Sequence, residues 1–436
     1  MSYITLHQFK YNGSGPSLTK TEVKAEYFKR MESDSVWKTN LYPLLTDSNG
    51  GQSDDLPIFF ENTTKMYSKI QKITNNSRQI RRLVNTLPGI AGRTYTNEVL
   101  ANEIFFTNEI EGVKTNREDI KTMVDEQEND KTPTKKRLQS TVRMYRDIFN
   151  QKIIKIYSLE DIRRIYDSLL QGEIPDKKLP DGKYFRNKEV WIGSAMKSVH
   201  RPPKNESEIS DKLKQLIYFM NDADVPEISK AIVTHFMFEN THPFYDGNGR
   251  TGRYLLSEYL SSKIDPYTGL IISTSIHNEQ SKYYKIFKEA ERRDNFGDLT
   301  VFIEQILSII IEGQLDVRTS LVDKLEAFNK SAKILNKVFA HTEEYEEANL
   351  KKWRIFSVLF ILLQSYLFNM DDNGITDTQL INFWYNTDTR VFKKNKMPEI
   401  IGWLEENNWI YRAKSNPIIH KFTDSTKVTL NLAEKD

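Results

Sequence analysis

Cysteine is missing from all 436 residues, which excludes disulfide bonds and thiolate chemistry. This absence favours an intracellular, reducing compartment, so we expect a cytoplasmic protein. A long apolar run is also missing, because the most apolar stretch, residues 355–367, is interrupted by Ser357 and Gln364 and is too short to span a bilayer. The N-terminus lacks the basic and apolar regions of a secretory signal, and we expect no membrane partner.

An excess of charge of either sign is also missing. Lys and Arg number 62 against 60 Asp and Glu, so no excess attracts nucleic acid or a membrane surface. A hydrophobic content of 38% and a charged content of 28% are typical of a globular protein rather than a disordered one. The length is sufficient for two or three domains, each with its own core.

Apolar residues recur at spacings of three and four along most of the chain, which predicts a mainly α-helical fold. Helix-start signals occur where Ser158 precedes Asp161 and where Asn205 precedes Glu208. Only residues 183–193 alternate apolar and polar side chains, which predicts a short β-hairpin with a turn near Asn187. The predicted helices include residues 58–73, 80–87, 96–111, 159–170, 209–220, 228–238 and 249–260.

The last hundred residues predict a separate unit. Helices are expected over 352–368, from Thr376 onward and over 397–406, followed by strands at NNWIYRA (407–413) and KVTLNLA (427–433). This order is typical of a winged helix, so we expect a winged-helix-like domain at residues 345–436.

The stretch THPFYDGNGR, residues 241–250, lies in a loop between two predicted helices. Its Gly247-Asn248-Gly249 segment lets backbone N–H groups turn toward an anion at the N-terminus of the second helix. Arg250 and Arg253 lie three residues apart on that helix, so their forked donors can bind successive phosphates.

Two other side chains of the loop supply reactive groups. Asp246 is a hard oxygen ligand suited to a Mg²⁺ ion that is shared with phosphates. His242 can take a proton from an incoming hydroxyl near neutral pH. The residues therefore predict a nucleotide di- or triphosphate site with its own general base.

HPFYDGNGRTGR, residues 242–253, resembles the signature of Fic-domain proteins, H-P-F-x-[D/E]-G-N-G-R-x-x-R, and matches every fixed position. Likeness extends over roughly residues 55 to 315. Residues 182–193 with Pro202-Pro203 resemble the family's flap, and residues 279–307 resemble its closing helices. The resemblance implies a Fic-type helical core that transfers AMP from ATP to a Tyr, Ser or Thr hydroxyl of a target protein or of the chain itself.

The resemblance also assigns roles to individual residues. It makes His242 the base, Asp246 the Mg²⁺ ligand at the α- and β-phosphates, and Gly247 to Gly249 with Asn248 the stabiliser of charge on the α-phosphate. Arg250 and Arg253 would bind the β- and γ-phosphates. A phosphorylating relative has lysine at the position of Gly249, so glycine here favours AMP transfer.

The sequence TNEIEG, residues 107–112, resembles the family's inhibitory pattern, [S/T]-x-x-x-E-[G/N], through Thr107, Glu111 and Gly112. Gly112 follows the end of a predicted helix, where glycine is common, and Thr107 and Glu111 share one helix face. The resemblance implies that Glu111 pairs with Arg253 and withholds that arginine from the γ-phosphate.

Two further assignments follow from the resemblance. The flap residues Val190, Trp191, Ile192 and Gly193 would offer a strand edge to a target segment, and Tyr283 and Tyr284 would pack near the adenine. The implied organisation is an N-terminal helical region at residues 1–94, a Fic catalytic domain at 95–318 and the winged-helix-like domain.

Two other functions stay open beside protein adenylyl transfer. One is removal of AMP, or transfer of another phosphate-bearing group, at the same site. The other is a DNA-binding regulator that uses the winged helix, with Lys393, Lys394 and Lys396 as phosphate contacts. Near-neutral charge argues against DNA as a partner. A homodimer is left open.

Overall fold

A computed structural model describes residues 3–12, 16–128, 138–194, 197–339, 347–369, 372, 374–385 and 393–433. Helices dominate these residues, so the mainly α-helical prediction is confirmed. No helix within these ranges has the length and apolar character needed to cross a membrane. The helices are α1 (Leu6–Lys10), α2 (Lys20–Met31), α3 (Thr64–Asn85), α4 (Gly89–Ile110), α5 (Arg117–Glu128), α6 (Gln139–Phe149), α7 (Leu159–Leu169), α8 (Glu206–Met220), α9 (Glu227–Thr241), α10 (Asn248–Lys263), α11 (Pro266–Gly269), α12 (Ile272–Asn278), α13 (Gln280–Ala290), α14 (Thr300–Val338), α15 (Glu347–Phe368), α16 (Asp377–Tyr385), α17 (Met397–Glu406) and α18 (Asp424–Thr429).

The strands are short and form small antiparallel sheets. β1 pairs with β4, β2 with β3 and β5 with β6, while β9 lies between β7 and β8 in a three-stranded sheet. Their bounds are β1 (Val36–Lys38), β2 (Leu45–Thr46), β3 (Gln52–Ser53), β4 (Phe59–Glu61), β5 (Ile192–Ser194), β6 (Lys197–His200), β7 (Ile375–Thr376), β8 (Ile410–Ser415) and β9 (Ile418–Phe422).

The chain divides into two compact units, with the division falling inside α3, α4 and α14. The first unit comprises Met1–Arg78 and Val99–Leu315, and the second comprises Gln79–Glu98 and Asp316–Asp436. The boundaries expected at residues 94 and 318 remain predictions.

The first unit is built around α9 and α10, which are buried along almost their whole length. Helices that are apolar or buried on every side belong to a core, and these two are joined directly by the loop of residues 242–247. The helix starts read from the sequence are present in this unit. Ser158 caps α7 in a capping box with Asp161, and Asn205 caps α8 by accepting a hydrogen bond from the Glu208 N–H.

Strand pairing in the flap begins later than the alternation predicts. Ile192 of β5 lies opposite His200 of β6, and residues 195–196 between the strands lie outside the described residues. The predicted turn near Asn187 is wrong. The Glu206 carboxylate accepts hydrogen bonds from the backbone N–H groups of residues 183–185, so these groups are not available to a partner strand.

In the second unit, residues 347–430 run helix, strand, helix, helix, strand, strand and helix through their described ranges. The strand predicted at residues 427–433 is wrong, because Thr423 accepts a hydrogen bond from the Thr426 N–H and caps α18 there. The second long strand is β9 instead. The name winged helix for this arrangement stays a prediction, and parts of residues 345–436 lie outside the described ranges.

Candidate active site

The loop between α9 and α10 has left-handed backbone at both ends. His242 ends α9 with φ 48°, and its N–H donates to the Phe238 carbonyl at 2.9 Å. Gly247 precedes α10 with φ 81°, a conformation that glycine adopts without steric cost. The chain thereby passes from α9 to α10 within six residues, and Asp246 of this loop lies close enough to affect the pKa of the His242 ring.

Asn248 holds this loop in shape through its side chain. Its Oδ1 accepts a hydrogen bond from the Phe244 N–H at 2.9 Å, and its Nδ2 donates to the Phe244 carbonyl at 2.8 Å. The Phe244 ring is fully buried and stacks on Tyr166 at 3.7 Å between centroids. The side-chain amide of Asn248 is therefore committed to the loop, and what it can offer an anion is its backbone N–H.

The N-terminus of α10 is suited to an anion. Thr251 is the first residue whose N–H donates back along the helix, to the Gly247 carbonyl at 3.0 Å, so the three preceding N–H groups have no acceptor within the helix. A carboxylate already lies there. A Cβ on Gly249 would stand 2.1 Å from Glu111 Oε1, so only glycine leaves room for Glu111 in this position.

Arg253 is bound by the segment of α4 that carries the inhibitory pattern. Its NH1 donates to Glu111 Oε1 at 2.9 Å, its Nε to Thr107 Oγ1 at 3.0 Å and its NH2 to the Thr107 carbonyl at 2.9 Å. Burial alone would lower the pKa of Arg253, but Glu111, Tyr283 and Glu239 together outweigh burial and raise that pKa. The structure thus brings Thr107, Glu111 and Arg253 together, with three guanidinium donors satisfied.

Arg250 is bound differently. Its NH1 donates to Glu173 Oε2 at 3.0 Å and to Asn108 Oδ1 at 3.4 Å. The Glu173 side chain is only 1% exposed, and its other oxygen accepts a hydrogen bond from the Thr141 hydroxyl at 2.8 Å. Arg250 is therefore anchored by a carboxylate that solvent does not reach.

Asp246 faces two cations. Lys178 Nζ lies 2.6 Å from Asp246 Oδ2, and Arg250 NH2 lies 3.8 Å from Asp246 Oδ1. Among the described residues, no group of three or more His, Asp or Glu side chains gathers in a way that could hold a metal ion. The role of Asp246 as a Mg²⁺ ligand stays a prediction, and a single carboxylate would suit an ion that arrives with phosphate oxygens of its own.

His242 is set to be neutral. Burial lowers the pKa of its ring to about 3, and the nearby His200 and Arg186 act in the same direction. The backbone carbonyl of Glu239 and the Asp246 carboxylate favour the charged ring, but they do not outweigh burial. A neutral imidazole keeps a nitrogen lone pair available, as a general base requires.

Arg186 ties the flap to this loop. Its Nε donates to the His242 carbonyl at 3.0 Å, and its backbone N–H donates to the Pro243 carbonyl at 3.1 Å. The Arg186 side chain is fully buried, and burial lowers its pKa to about 10. The Tyr245 hydroxyl makes a further link by accepting from the Lys188 N–H at 3.0 Å.

Within the flap, Trp191 is 55% exposed and Arg201 stacks over its ring at 4.3 Å. Val190 is partly exposed, and Ile192 and Gly193 belong to β5. The docking role expected for these four residues stays a prediction.

The two tyrosines expected near the adenine differ. Tyr283 is buried, and its hydroxyl donates to His235 Nε2 at 2.7 Å if His235 Nδ1–H donates to the Gly252 carbonyl. Tyr284 is 51% exposed. Tyr283 contributes to the electrostatics of Arg253, so it lies near the site, whereas the adenine contact itself stays a prediction.

Sequence reasoning missed four residues that shape the site: Glu173, Lys178, Arg186 and Glu239. Glu239 lies against Gly252, and burial, followed by repulsion from Glu111, raises the pKa of its carboxyl to about 8. Glu173 and Lys178 lie in the segment that follows α7. In sequence they are 77 and 68 residues away from their partners, Arg250 and Asp246. A spacing pattern within one helix or loop carries no signal for such contacts.

Comparison with known proteins agrees with the motif. Residues 156–260 match the model of the Fic/DOC family, so the chain contains a Fic/DOC domain there. The protein adenylyltransferase Fic of Drosophila virilis is 29% identical over 152 residues, which cover 34% of this chain and 27% of the relative. A probable protein adenylyltransferase of Aquifex aeolicus is 26% identical over 194 residues, covering 41% and 54%. The chain thus spans only about a quarter to a half of the curated relatives that it matches.

Solved structures give a weaker likeness. A Fic family protein from Desulfovibrio desulfuricans G20 has a TM-score of 0.44 at 17% identity and covers 83% of this chain and 97% of its own. Fic-1 from Caenorhabditis elegans, residues 134–508, has a TM-score of 0.39 at 18% identity and covers 60% and 75%. Scores this low carry no weight for the fold.

Proposed function

We propose that this chain is a protein adenylyltransferase that moves AMP from ATP to a Tyr, Ser or Thr hydroxyl and that Glu111 inhibits it. The observation that carries the proposal is the binding of Arg253 by Thr107 and Glu111 at the start of α10. A helix N-terminus with an arginine one turn along is a site for phosphates, and here a carboxylate of the chain takes that place.

His242 is the proposed base. Its neutral ring would accept the proton of the attacking hydroxyl while the oxygen bonds to the α-phosphorus and the bond to the bridging oxygen of the β-phosphate breaks. AMP is then attached to the hydroxyl oxygen, and pyrophosphate leaves. Arg186 holds the backbone of His242 and so keeps the ring in place during this step.

The chain's other groups would stabilise the phosphate charges. The free N–H groups of Asn248, Gly249 and Arg250 face the α-phosphate, and Arg253 serves the γ-phosphate once Glu111 has left. Asp246 is the residue that would hold Mg²⁺, and the ion would neutralise charge on the α- and β-phosphates. The relatives named protein adenylyltransferase support ATP and a target protein as the two substrates.

Glu111 would inhibit by occupying two positions that the nucleotide needs. Its Oε1 accepts a hydrogen bond from NH1 of Arg253, and the carboxylate lies over Gly249 at the N-terminus of α10. A nucleotide that binds despite this would have its phosphates displaced, and a small displacement of reacting atoms costs a large factor in rate.

The test of the function uses the full chain in the Glu111→Gly background. This variant is incubated with ATP labelled on the α-phosphate and Mg²⁺, alone and with a cell lysate, and labelled residues are located by mass spectrometry. We expect AMP on hydroxyl side chains, no label with His242→Ala added, and a loss of orders of magnitude with Asp246→Ala or chelator. Label that persists in the His242→Ala protein, or label from γ-labelled ATP alone, contradicts AMP transfer by this mechanism.

A further inference from the structure

The segment that follows α7 places a lysine on the proposed metal ligand. Leu170, Tyr166 and Ile174 pack against the space around Gly247, so this segment lies directly beside the loop. The short 3₁₀ turn Asp176–Lys178 then brings Lys178 Nζ to 2.6 Å from Asp246 Oδ2.

Each charged side chain that the proposed function assigns to the phosphates or to their metal ion has a partner of opposite charge within the chain. Arg253 has Glu111, Arg250 has Glu173 and Asp246 has Lys178. Only in the last pair is the partner a cation, and the Lys178 ammonium lies where the proposed function would place Mg²⁺.

The Lys178 pair is also the one most open to water. The Lys178 side chain is 48% exposed and that of Asp246 is 28% exposed. Exposed ion pairs of this kind are weak, and the ammonium regains its hydration when it leaves. A divalent cation that arrives with phosphate oxygens is therefore able to displace it.

We propose that Lys178 is a tethered substitute for the divalent cation at Asp246, displaced when a metal–nucleotide complex enters. The ammonium neutralises Asp246 in the free protein and sets how much metal is required to fill the site. Arg250 NH2, at 3.8 Å from the same carboxylate, stays because Glu173 anchors it. This proposal rests on the proposed function, since that function brings the metal and the nucleotide to Asp246.

The experiment measures binding rather than transfer. ADP is used because it lacks the γ-phosphate that competes with Glu111, and Mn²⁺ serves as the spectroscopic probe for the metal. Calorimetry and Mn²⁺ electron paramagnetic resonance give the half-saturating Mn²⁺ concentration at fixed ADP, and ADP affinity is measured separately in chelator. The variants are Lys178→Met and Lys178→Arg, with Lys177→Met as the matched control, because Lys177 is an exposed lysine of the same turn.

We expect Lys178→Met to lower the half-saturating Mn²⁺ concentration about two- to fivefold, while Lys178→Arg and Lys177→Met leave it near the wild-type value. The difference in half-saturating Mn²⁺ concentration between Lys178→Met and the wild-type chain should be smaller in 1 M salt, where an exposed charge pair is screened. ADP binding in chelator should stay unchanged in Lys178→Met.

Two results would overturn the proposal. An unchanged or higher Mn²⁺ requirement in Lys178→Met shows that the lysine does not compete with the metal. A loss of ADP affinity in chelator shows that Lys178 binds phosphate instead. If the wild-type chain binds no Mn²⁺–ADP at all, the proposed function fails, and this outcome is distinct from the other two.

Discussion

Arg250 and Arg253 lie three residues apart at the start of α10, and each donates a hydrogen bond to one carboxylate, Glu173 or Glu111, at almost the same distance, 3.0 and 2.9 Å. The carboxylates differ in their access to water, since Glu173 is 1% exposed and Glu111 is 29% exposed. A buried pair cannot separate without leaving an uncompensated charge, whereas a partly exposed carboxylate can move into solvent. One arginine is therefore a fixed part of the site and the other is exchangeable.

The largest effect is expected when the fixed pair is broken. Glu173→Gln leaves the Arg250 guanidinium buried without its carboxylate, so the free energy of unfolding should fall by about 3 kcal/mol. Glu111→Gln should lower it by about 1 kcal/mol, because water reaches that side of the pair. Urea unfolding of both variants checks the difference, and equal losses would show that exposure to water does not distinguish the two pairs.

The exchangeable pair should control activity instead. Glu111→Gly frees Arg253, and a pair of this kind is worth a few kcal/mol at most, so AMP incorporation should rise by roughly ten- to a hundredfold. The helix cost of glycine, about 1 kcal/mol, is small at the end of α4. Labelled AMP incorporation gives the rate.

Arg253→Ala in the Glu111→Gly background should cancel this gain, because the arginine that had been freed is then missing. If Glu111→Gly transfers AMP no faster than the wild-type chain, residues 107–112 are an ordinary helix end and the inhibition does not exist.

A smaller gain is expected from Thr107→Val. The substitution removes the acceptor of Arg253 Nε but keeps the backbone carbonyl that accepts from NH2. One hydrogen bond contributes about 0.5 to 1.5 kcal/mol, which corresponds to an increase of about two- to tenfold in initial rate. Thr107→Ser, which keeps the hydroxyl, is the control and should behave like the wild-type chain.

The smallest effect is the response to pH. Arginine side chains in general stay charged at accessible pH, so a pH profile of the Glu111→Gly variant reports on His242 separately. Because burial lowers the pKa of His242 to about 3, the neutral ring persists as pH falls from 8 to 5.5, and the rate should change less than about twofold. A base with the ordinary pKa near 6.5 would lose about tenfold over that range, and such a loss contradicts the assigned environment.

The sequence was sufficient where the determinants are local. Periodicity predicted the helical class, and the caps at Ser158 and Asn205 start α7 and α8 as expected. Prediction from the sequence failed where two local signals compete for the same residues. Residues 58–63 continue the apolar spacing of α3, but Phe59–Glu61 pairs with β1 and the helix begins only at Thr64. At the C-terminus, the cap at Thr423 prevailed over β-branched residues.

The residues of the candidate site also form two groups, those that a local motif predicts and those that only tertiary packing brings to the site. The residues of the loop and of α10 that contact phosphate in the proposed function follow from one continuous motif. Their partners Glu173 and Lys178 come from a segment that reaches the loop only through tertiary packing, so no spacing rule identifies them. Arg186 lies within the range 182–193 that resembles the flap, but its hydrogen bond to the His242 carbonyl depends on the same packing.

Glu111 follows Ile110, the last residue of α4, and precedes Gly112, whose φ of 67° ends the helix. The end of a helix opens and closes within about a microsecond, whereas an enzyme turnover takes about a millisecond to a second. In the proposed function, Glu111 would leave and rebind Arg253 many times during each catalytic cycle. Inhibition of this kind produces no lag after ATP is added. It scales the steady rate by the fraction of time that Arg253 is free, so the residual activity of the wild-type chain is a direct measure of that equilibrium.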